Sequence, residues 1–526
     1  MPEPDLIIVG GGTAGCVLAE RLTRSGRRRV LVVEAGGEPR SPFVKIPAGF
    51  ARLFRGPLDW AFTSEPQTSV GGRRVFTPRG RMLGGCSNMN AMIHQWCHPA
   101  DFDGWADAGA AGWSWADVAP TFTDQERWTG AGGAPARGDR GPLVASPNPN
   151  ARPLSRLFVE AARNAGLRGG PDYNGGNDYV GAWMAQLAVL DGRRFSAYDA
   201  FLAPARARAN LEVLTGAHAT RVVIENGRAT GVRVRRGNLT ETIPARAGVI
   251  VCAGAFGSPH LLMHSGVGPA ADLTRLGIAV VRDAPGVGAN LQDHPVAGVL
   301  IRTRTTNTLK RAESLPNLLR YLLRKGGPLA SNVAEAFAFA RSGVTGDAAP
   351  DVELLFAPVE WRAEGLERPR AHAMTIAVIA LAPRSRGSVR LRGADPLAAS
   401  AIDFGMLTDP DGVDAKVLYA GVRLARRIAA TAPLAAECVE EMEPGARATS
   451  DEAIHAALGE RLQTIYHPAG TCRMGVDARA VCDPRLRVRG VDGLWVCDAS
   501  VMPTVPCGHP HAVVTMLAAR GAAMID

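Results

Sequence analysis

Two histidines of this 526-residue chain stand in turns that glycine and proline shape. In Tyr466-His467-Pro468-Ala469-Gly470-Thr471 the proline forces His467 out of the helical region and into an extended turn. In Pro506-Cys507-Gly508-His509-Pro510-His511 the second histidine, His509, comes just before a helix expected over Ala512 to Ile525. Pro510 suits the first turn of that helix, where its missing N–H would be unpaired anyway, and the N–H groups of His511 and Ala512 then point forward. Between the two turns lies an apolar strand, Leu494 to Cys497, followed by Asp498-Ala499-Ser500. A lone histidine is more often packed or solvated than catalytic. A pair in such turns around one strand points to proton transfer, because an imidazole titrates near neutral pH.

The other end of the chain supplies what such a pair would act beside. Leu6-Ile7-Ile8-Val9 is an apolar run of the kind buried in a parallel sheet. Gly10-x-Gly12-x-x-Gly15 then leads into a helix, Ala14 to Leu22. Gly10 makes the tight turn, Gly12 lets backbone approach a pyrophosphate, and Gly15 lets helix pack on strand. The helix N-terminus offers free N–H groups and partial positive charge to the phosphates. A second strand, Val30 to Val33, ends in Glu34, about twenty residues after the glycines, where a carboxylate can bond an adenosine ribose. Further on, Arg79-Gly80-Arg81-Met82-Leu83-Gly84-Gly85-Cys86-Ser87-Asn88-Met89-Asn90 sets glycine pairs around small residues, so that a planar or phosphate-bearing ligand can lie on bare backbone. A helix is expected to start at Asn90-Ala91-Met92-Ile93. The strand Val249 to Cys252 ends in Ala253-Gly254-Ala255, again small residues where open α/β sheets bind ligands.

Length suits two or three domains, and the hydrophobic content of 46% is that of a globular enzyme. The net charge of +9 comes from arginine spread through an alanine- and glycine-rich chain. It reads as solvated surface, with no nucleic-acid partner and membrane contact at most peripheral. Nine cysteines without a CxxC pair read as reduced thiols, neither disulfides nor a metal site. No run is long enough to span a membrane, and the acidic N-terminus enters its first strand at once, so a cytoplasmic protein without a signal peptide is expected.

Between these ends, Asp101 to Trp128 is tryptophan-rich and reads as a helical cap, and Gly130 to Asn150 as a surface connection. Leu154 to Gly166 reads as an amphipathic helix. Arg206 to Val249 alternates apolar and polar residues, with Glu225-Asn226-Gly227 as a hairpin turn. From Val299 onward, strand-like runs such as Met374 to Leu381 alternate with helical ones such as Leu315 to Leu323 and Asp411 to Ala430. This middle block has no nucleotide signal and is assigned to the substrate.

The motifs in their order, GGGTAG with VVEAGG, PRGRMLGGCSNMNAM, VIVCAGAFGSPHLLMHSGVGP, PGVGANLQDHP, PRSRGSVRL, YHPAGTCRMG and LWVCDASVMPTVPCGHPH, resemble the glucose–methanol–choline (GMC) oxidoreductases from end to end, with the choline-dehydrogenase-like branch closest. The resemblance implies an α/β fold with a Rossmann-like FAD-binding domain (1–150, 195–298 and 460–526). A substrate-binding domain (151–194 and 299–459) is expected on an antiparallel sheet with helices. It implies FAD held by Gly10, Gly12, Thr13, Ala14, Gly15, Glu34, Ala35, Arg79, Ala253, Gly254, Asp498, Ala499, Pro510 and His511, with Met82, Leu83, Gly84, Gly85, Ser87, Asn90, Ala91, Met92 and Ile93 along the isoalloxazine and Val222 on the adenine. It makes His467 the general base and His509 its partner in oxidising a small primary alcohol. The electrons would pass to oxygen, a quinone or another carrier, with a homodimer as a candidate assembly.

Three positions depart from the family. Met89 stands where tethered relatives have histidine, which implies non-covalent FAD. His509 stands where the choline branch usually has asparagine, and Trp96-Cys97 replaces the usual Arg-Gly. Two other functions share these motifs: a non-redox lyase of the hydroxynitrile-lyase kind, in which flavin is structural, and a flavin-binding module without turnover.

Overall fold

The computed structural model describes residues 3–132, 136–174, 179–347 and 349–525. Leu6–Val9, Val30–Val33 and Gly248–Val251 are buried along their whole length, as strands covered on both faces must be. They form the middle of a five-stranded parallel sheet ordered Leu211–Leu214, Val30–Val33, Leu6–Val9, Gly248–Val251, Leu494–Val496. Ile8 pairs with Val32 on one side and Ile250 on the other. One face carries the helices Thr13–Thr23 and His511–Ile525, packed on each other. Near the sheet on its other side is a three-stranded antiparallel sheet, His218–Glu225, Arg228–Arg236 and Leu239–Pro244, with the expected turn at Asn226-Gly227. Leu211–Leu214 alternates in sequence like those three strands, yet forms the half-buried parallel edge.

A seven-stranded antiparallel sheet makes the second layer, ordered Cys438–Glu443, Pro295–Thr303, Ala373–Ala380, Val352–Ala357, Ala336–Ala340, Gly181–Met184, with Gln463–Thr464 also paired to Pro295–Thr303. Alternation sorts its faces. Ala297, Val299, Leu354, Phe356, Ile376 and Val378 pack with the helices Pro153–Asn164 and Val413–Ala429 into one core. Val296, Gly298, Leu355, Ala357, Thr375 and Ala377 take the other face, toward the cavity described below.

The tryptophan-rich stretch folds as the helices Pro99–Asp107 and Trp115–Gln125, each begun by a reciprocal cap, His98 with Asp101 and Ser114 with Asp117. Trp96, Trp105 and Trp113 are fully buried there.

Three local expectations are corrected. Asn90–Ile93 starts no helix: Met92 has φ +59°, and the Asn90 side chain accepts from the Met92 N–H and from buried Arg194. Arg194 also takes the carbonyls of Ser87, Asn90 and Val44, so the local backbone is bonded outward and none is left for a helical turn. The connection from Gly130 to Asn150 is only partly surface, because Leu143–Ala145 is a buried strand paired with Glu126–Trp128; residues 133–135 of it lie outside the described residues. Pro510 sits one residue before the C-terminal helix and contributes its carbonyl, which accepts the Val514 N–H.

Candidate active site

A cavity of about 1000 Å³ runs from the C-terminal ends of the parallel strands to the inner face of the seven-stranded sheet. Gly10, Gly12, Thr13, Ala14, Glu34, Ala35, Arg79, Gly85, Ser87, Asn90, Ala91, Met92, Ile93, Ala253, Gly254, Asp498, Ala499, Pro510 and His511 line it, together with His467, His509 and Met89. Five expected cofactor residues stand behind it. Gly15 packs helix on strand: a Cβ there would lie 2.0 Å from the Gly10 carbonyl oxygen. Met82 and Leu83 are buried in apolar clusters, and the Gly84 N–H bonds the Gly11 carbonyl, so these three brace the loop. Val222 is buried with its N–H committed to the Ser265 hydroxyl at 2.8 Å; Ala217, His218 and Ala219 line the cavity in its place.

The nucleotide end has the chemistry that FAD requires. Both Glu34 oxygens are held, Oε2 by the Gly11 N–H at 2.8 Å and Oε1 by the Gly36 N–H at 2.7 Å, and a carboxylate so fixed keeps lone pairs for a ribose diol. Burial raises the Glu34 pKa, while the Gly36 and Gly11 N–H groups pull it back. Gly12 is open, with no protein atom nearer than 4.0 Å to an added Cβ, so bare backbone faces the cavity beside the N-terminus of Thr13–Thr23. Asp498 accepts from the Gly254 N–H at 2.8 Å and the Ser258 hydroxyl at 2.5 Å, which ties the ends of two neighbouring parallel strands together. At the far end both ring nitrogens of His511 are buried without a hydrogen-bond partner among the described residues, and burial lowers its pKa to about 3.

His467 and His509 meet at the junction of the two layers, ring centroids 4.9 Å apart and planes at 84°. Tyr466, at φ +69°, turns the chain, and the His467 N–H bonds Asp293 Oδ1 at 2.8 Å. Burial drives the His467 pKa well down, and His509 and His294 lower it further. Burial also pushes Asp293 up to about 7. Each histidine has a partner that sequence reasoning missed. His294 Nδ1 faces His467 Nδ1 at 3.0 Å, and Glu353 Oε1 lies 3.0 Å from His509 Nε2. Signals for both exist in the sequence. His294 is another histidine before a proline, in Asp293-His294-Pro295, and Glu353 is a carboxylate inside an otherwise apolar strand run. The Trp96-Cys97 pair also finds its place here. Trp96 stacks on Phe122 at 5.4 Å and donates to Glu126, while Cys97, at φ +68°, sets its sulfur 3.9 Å from the His509 carbonyl oxygen. All nine cysteines are unpaired.

Comparison with known proteins identifies the family. The GMC oxidoreductase family model matches in two parts, over residues 4–296 and 383–518. An uncharacterised GMC-type oxidoreductase of Mycobacterium bovis is 41% identical, with 99% of each chain covered. An oxygen-dependent choline dehydrogenase of Rhizobium etli is 40% identical, over 99% of this chain and 95% of that one. Among solved structures, pyridoxine 4-oxidase from Mesorbium loti superposes with a TM-score of 0.90 at 32% identity over 99% of both chains. A fungal aryl-alcohol oxidase superposes with a TM-score of 0.87 at 26% identity, covering 100% of this chain and 99% of that one. With both parts of the family model matched in order and relatives aligned from end to end, the chain belongs to the GMC oxidoreductase family.

Proposed function

We propose that this protein oxidises a small primary alcohol to its aldehyde, using FAD bound without a covalent link. The facing pair of His467 and His509, at the meeting of the nucleotide site and the inner face of the antiparallel sheet, supports this reading most directly. FAD, when bound, would supply the two-electron acceptor for hydride from the carbinol carbon. His467 is the base. Its burial keeps the ring neutral, and a neutral imidazole at the cavity wall can accept the hydroxyl proton. With the proton between the two rings on His467 Nδ1, His294 Nδ1 accepts it across 3.0 Å and His467 Nε2 is the free basic nitrogen. His294 thus acts as a positioning residue.

His509 is fixed by Glu353 at one ring nitrogen and by its backbone N–H to Gln95 Oε1 at 3.0 Å, which leaves its other ring edge for the substrate oxygen. The N-terminus of His511–Ile525 opens on the cavity and would favour negative charge on a cofactor held there. Residues 1–150, 195–298 and 460–526 form the cofactor-holding part, and 151–194 with 299–459 the substrate-facing part. The first supplies every strand of the parallel sheet, and the second most of the antiparallel one.

Anaerobic mixing with primary, aromatic and amino alcohols tests the function. At least one class is expected to bleach the flavin absorbance. If none does while a cyanohydrin is cleaved with the flavin still oxidised, the protein is a lyase. If nothing turns over, it is a binding module.

A further inference from the structure

The helix Leu315–Arg324 carries its apolar face outward. Leu315, Leu318, Leu319, Leu322 and Leu323 are all exposed, Leu323 to 81%, and together they make one continuous stripe at helical spacing. Its one buried residue is Tyr321, whose hydroxyl donates to the carbonyls of Lys45 and Gly192 and pins the helix to the body of the protein. Phe43, in the turn Pro42–Lys45 beside that anchor, is exposed as well. Apolar stripes of this size on a protein surface mark something that covers them.

Charge decides what the cover is. Arg320 and Arg324 are exposed on the helix, Lys325 ends it, and Arg311 precedes it, while residues 314–334 contain no aspartate or glutamate. Glu313, just before the helix, is paired with Arg52. A second copy seated on this face by two-fold symmetry would bring the same arginines against their own kind, which opposes self-association. An apolar stripe edged by cations matches the boundary between acyl chains and anionic headgroups. No helix among the described residues is long and apolar enough to cross a membrane, so the contact is peripheral. We propose that Leu315–Arg324 docks the protein on a bilayer surface that carries anionic phospholipid, with the leucines in the acyl boundary and the arginines at the phosphates. The helix packs on the turn Pro328–Ala330, which packs on Pro47–Leu53, and that segment gives Phe50 to the cavity wall. Docking therefore sets this side of the cavity next to the membrane.

Co-sedimentation of the holoenzyme with vesicles tests this, comparing pure phosphatidylcholine with a mixture containing about one-third phosphatidylglycerol. The holoenzyme is expected to pellet with the anionic vesicles and to be partly released by salt. Leu319→Gln/Leu322→Gln/Leu323→Gln should stay in the supernatant with its circular dichroism and Tm unchanged. Arg320→Gln/Arg324→Gln should lower partition onto anionic vesicles roughly fivefold per arginine. Wild-type protein that stays in the supernatant with both vesicle types would overturn the proposal. So would leucine variants that pellet as well as wild type, or a wild-type dimer that these substitutions turn into a monomer.

Discussion

His467 Nδ1 and His294 Nδ1 face each other across 3.0 Å, and the charge state of that pair governs the chemistry proposed here. His467→Ala removes the base and is expected to slow anaerobic flavin reduction by about a hundred- to ten-thousandfold, with FAD retained. His509→Asn should lose less, because the substituted amide still reaches a substrate oxygen. A His467→Ala rate within a few-fold of wild type would refute the assignment, and a worse His509→Asn would exchange the two roles. Burial and the neighbouring rings hold the His467 pKa well below its ordinary value, so the ring stays basic in mild acid. The reduction rate should therefore remain level as pH falls through about 6.5, where a free imidazole is half protonated, and drop only at lower pH. His294→Gln keeps an acceptor for the His467 proton and should preserve most of the rate. His294→Leu does not, and should both slow reduction and shift the acid limb. Met89 also acts at this scale. It lines the cavity but has no nucleophilic nitrogen, so acid precipitation should release all yellow colour into the supernatant; colour kept in the pellet would disprove non-covalent binding.

At the scale of elements, the strand-turn-helix Leu6 to Thr23 separates two kinds of glycine. A Cβ on Gly15 would lie 2.0 Å from the Gly10 carbonyl oxygen, which is backbone and has nowhere to move. Gly15→Ala should prevent stable folding, seen as loss of soluble protein or a collapsed Tm. Gly12 has no protein atom closer than 4.0 Å to such a carbon, so Gly12→Ala should fold with the Tm of the wild-type apoprotein and fail to hold FAD. Equal effects of the two substitutions on Tm would contradict this division. The same element shows why local pattern reads well here. Apolar runs, the glycine spacing and Glu34 all lie within one short segment, and the bond that fixes the acid, Gly11 N–H to Glu34, stays inside it. The Asn90 turn failed as a helix for the opposite reason, since Arg194, far along the chain, claims its carbonyl groups.

Across the whole molecule, two layers with separate cores meet where His467 faces His509. Glu353, on the antiparallel sheet, is the point where the second layer reaches His509 beside the first. Glu353→Gln keeps the shape and removes the charge. A hydrogen bond to a charged group contributes about 1.5–3 kcal/mol, so flavin reduction should slow roughly ten- to a hundredfold while FAD binding and Tm stay near wild type. An unchanged rate would make the contact merely structural. The sequence by itself determined the glycine-rich strand-turn-helix unit, the family, the turns that carry His467 and His509 and most strands and helices, because each is written in neighbouring residues as period, spacing or turn chemistry. Only the tertiary structure decided that His294 meets His467 and Glu353 meets His509. Those partners stand 173 and 156 residues apart; the first contact forms because Pro295–Thr303 pairs with Gln463–Thr464, the second because the antiparallel sheet reaches the turn before His511–Ile525, and no local pattern encodes either. The same packing left Val222 behind the wall and the leucines of Leu315–Arg324 on the outside, since burial depends on what the rest of the chain covers.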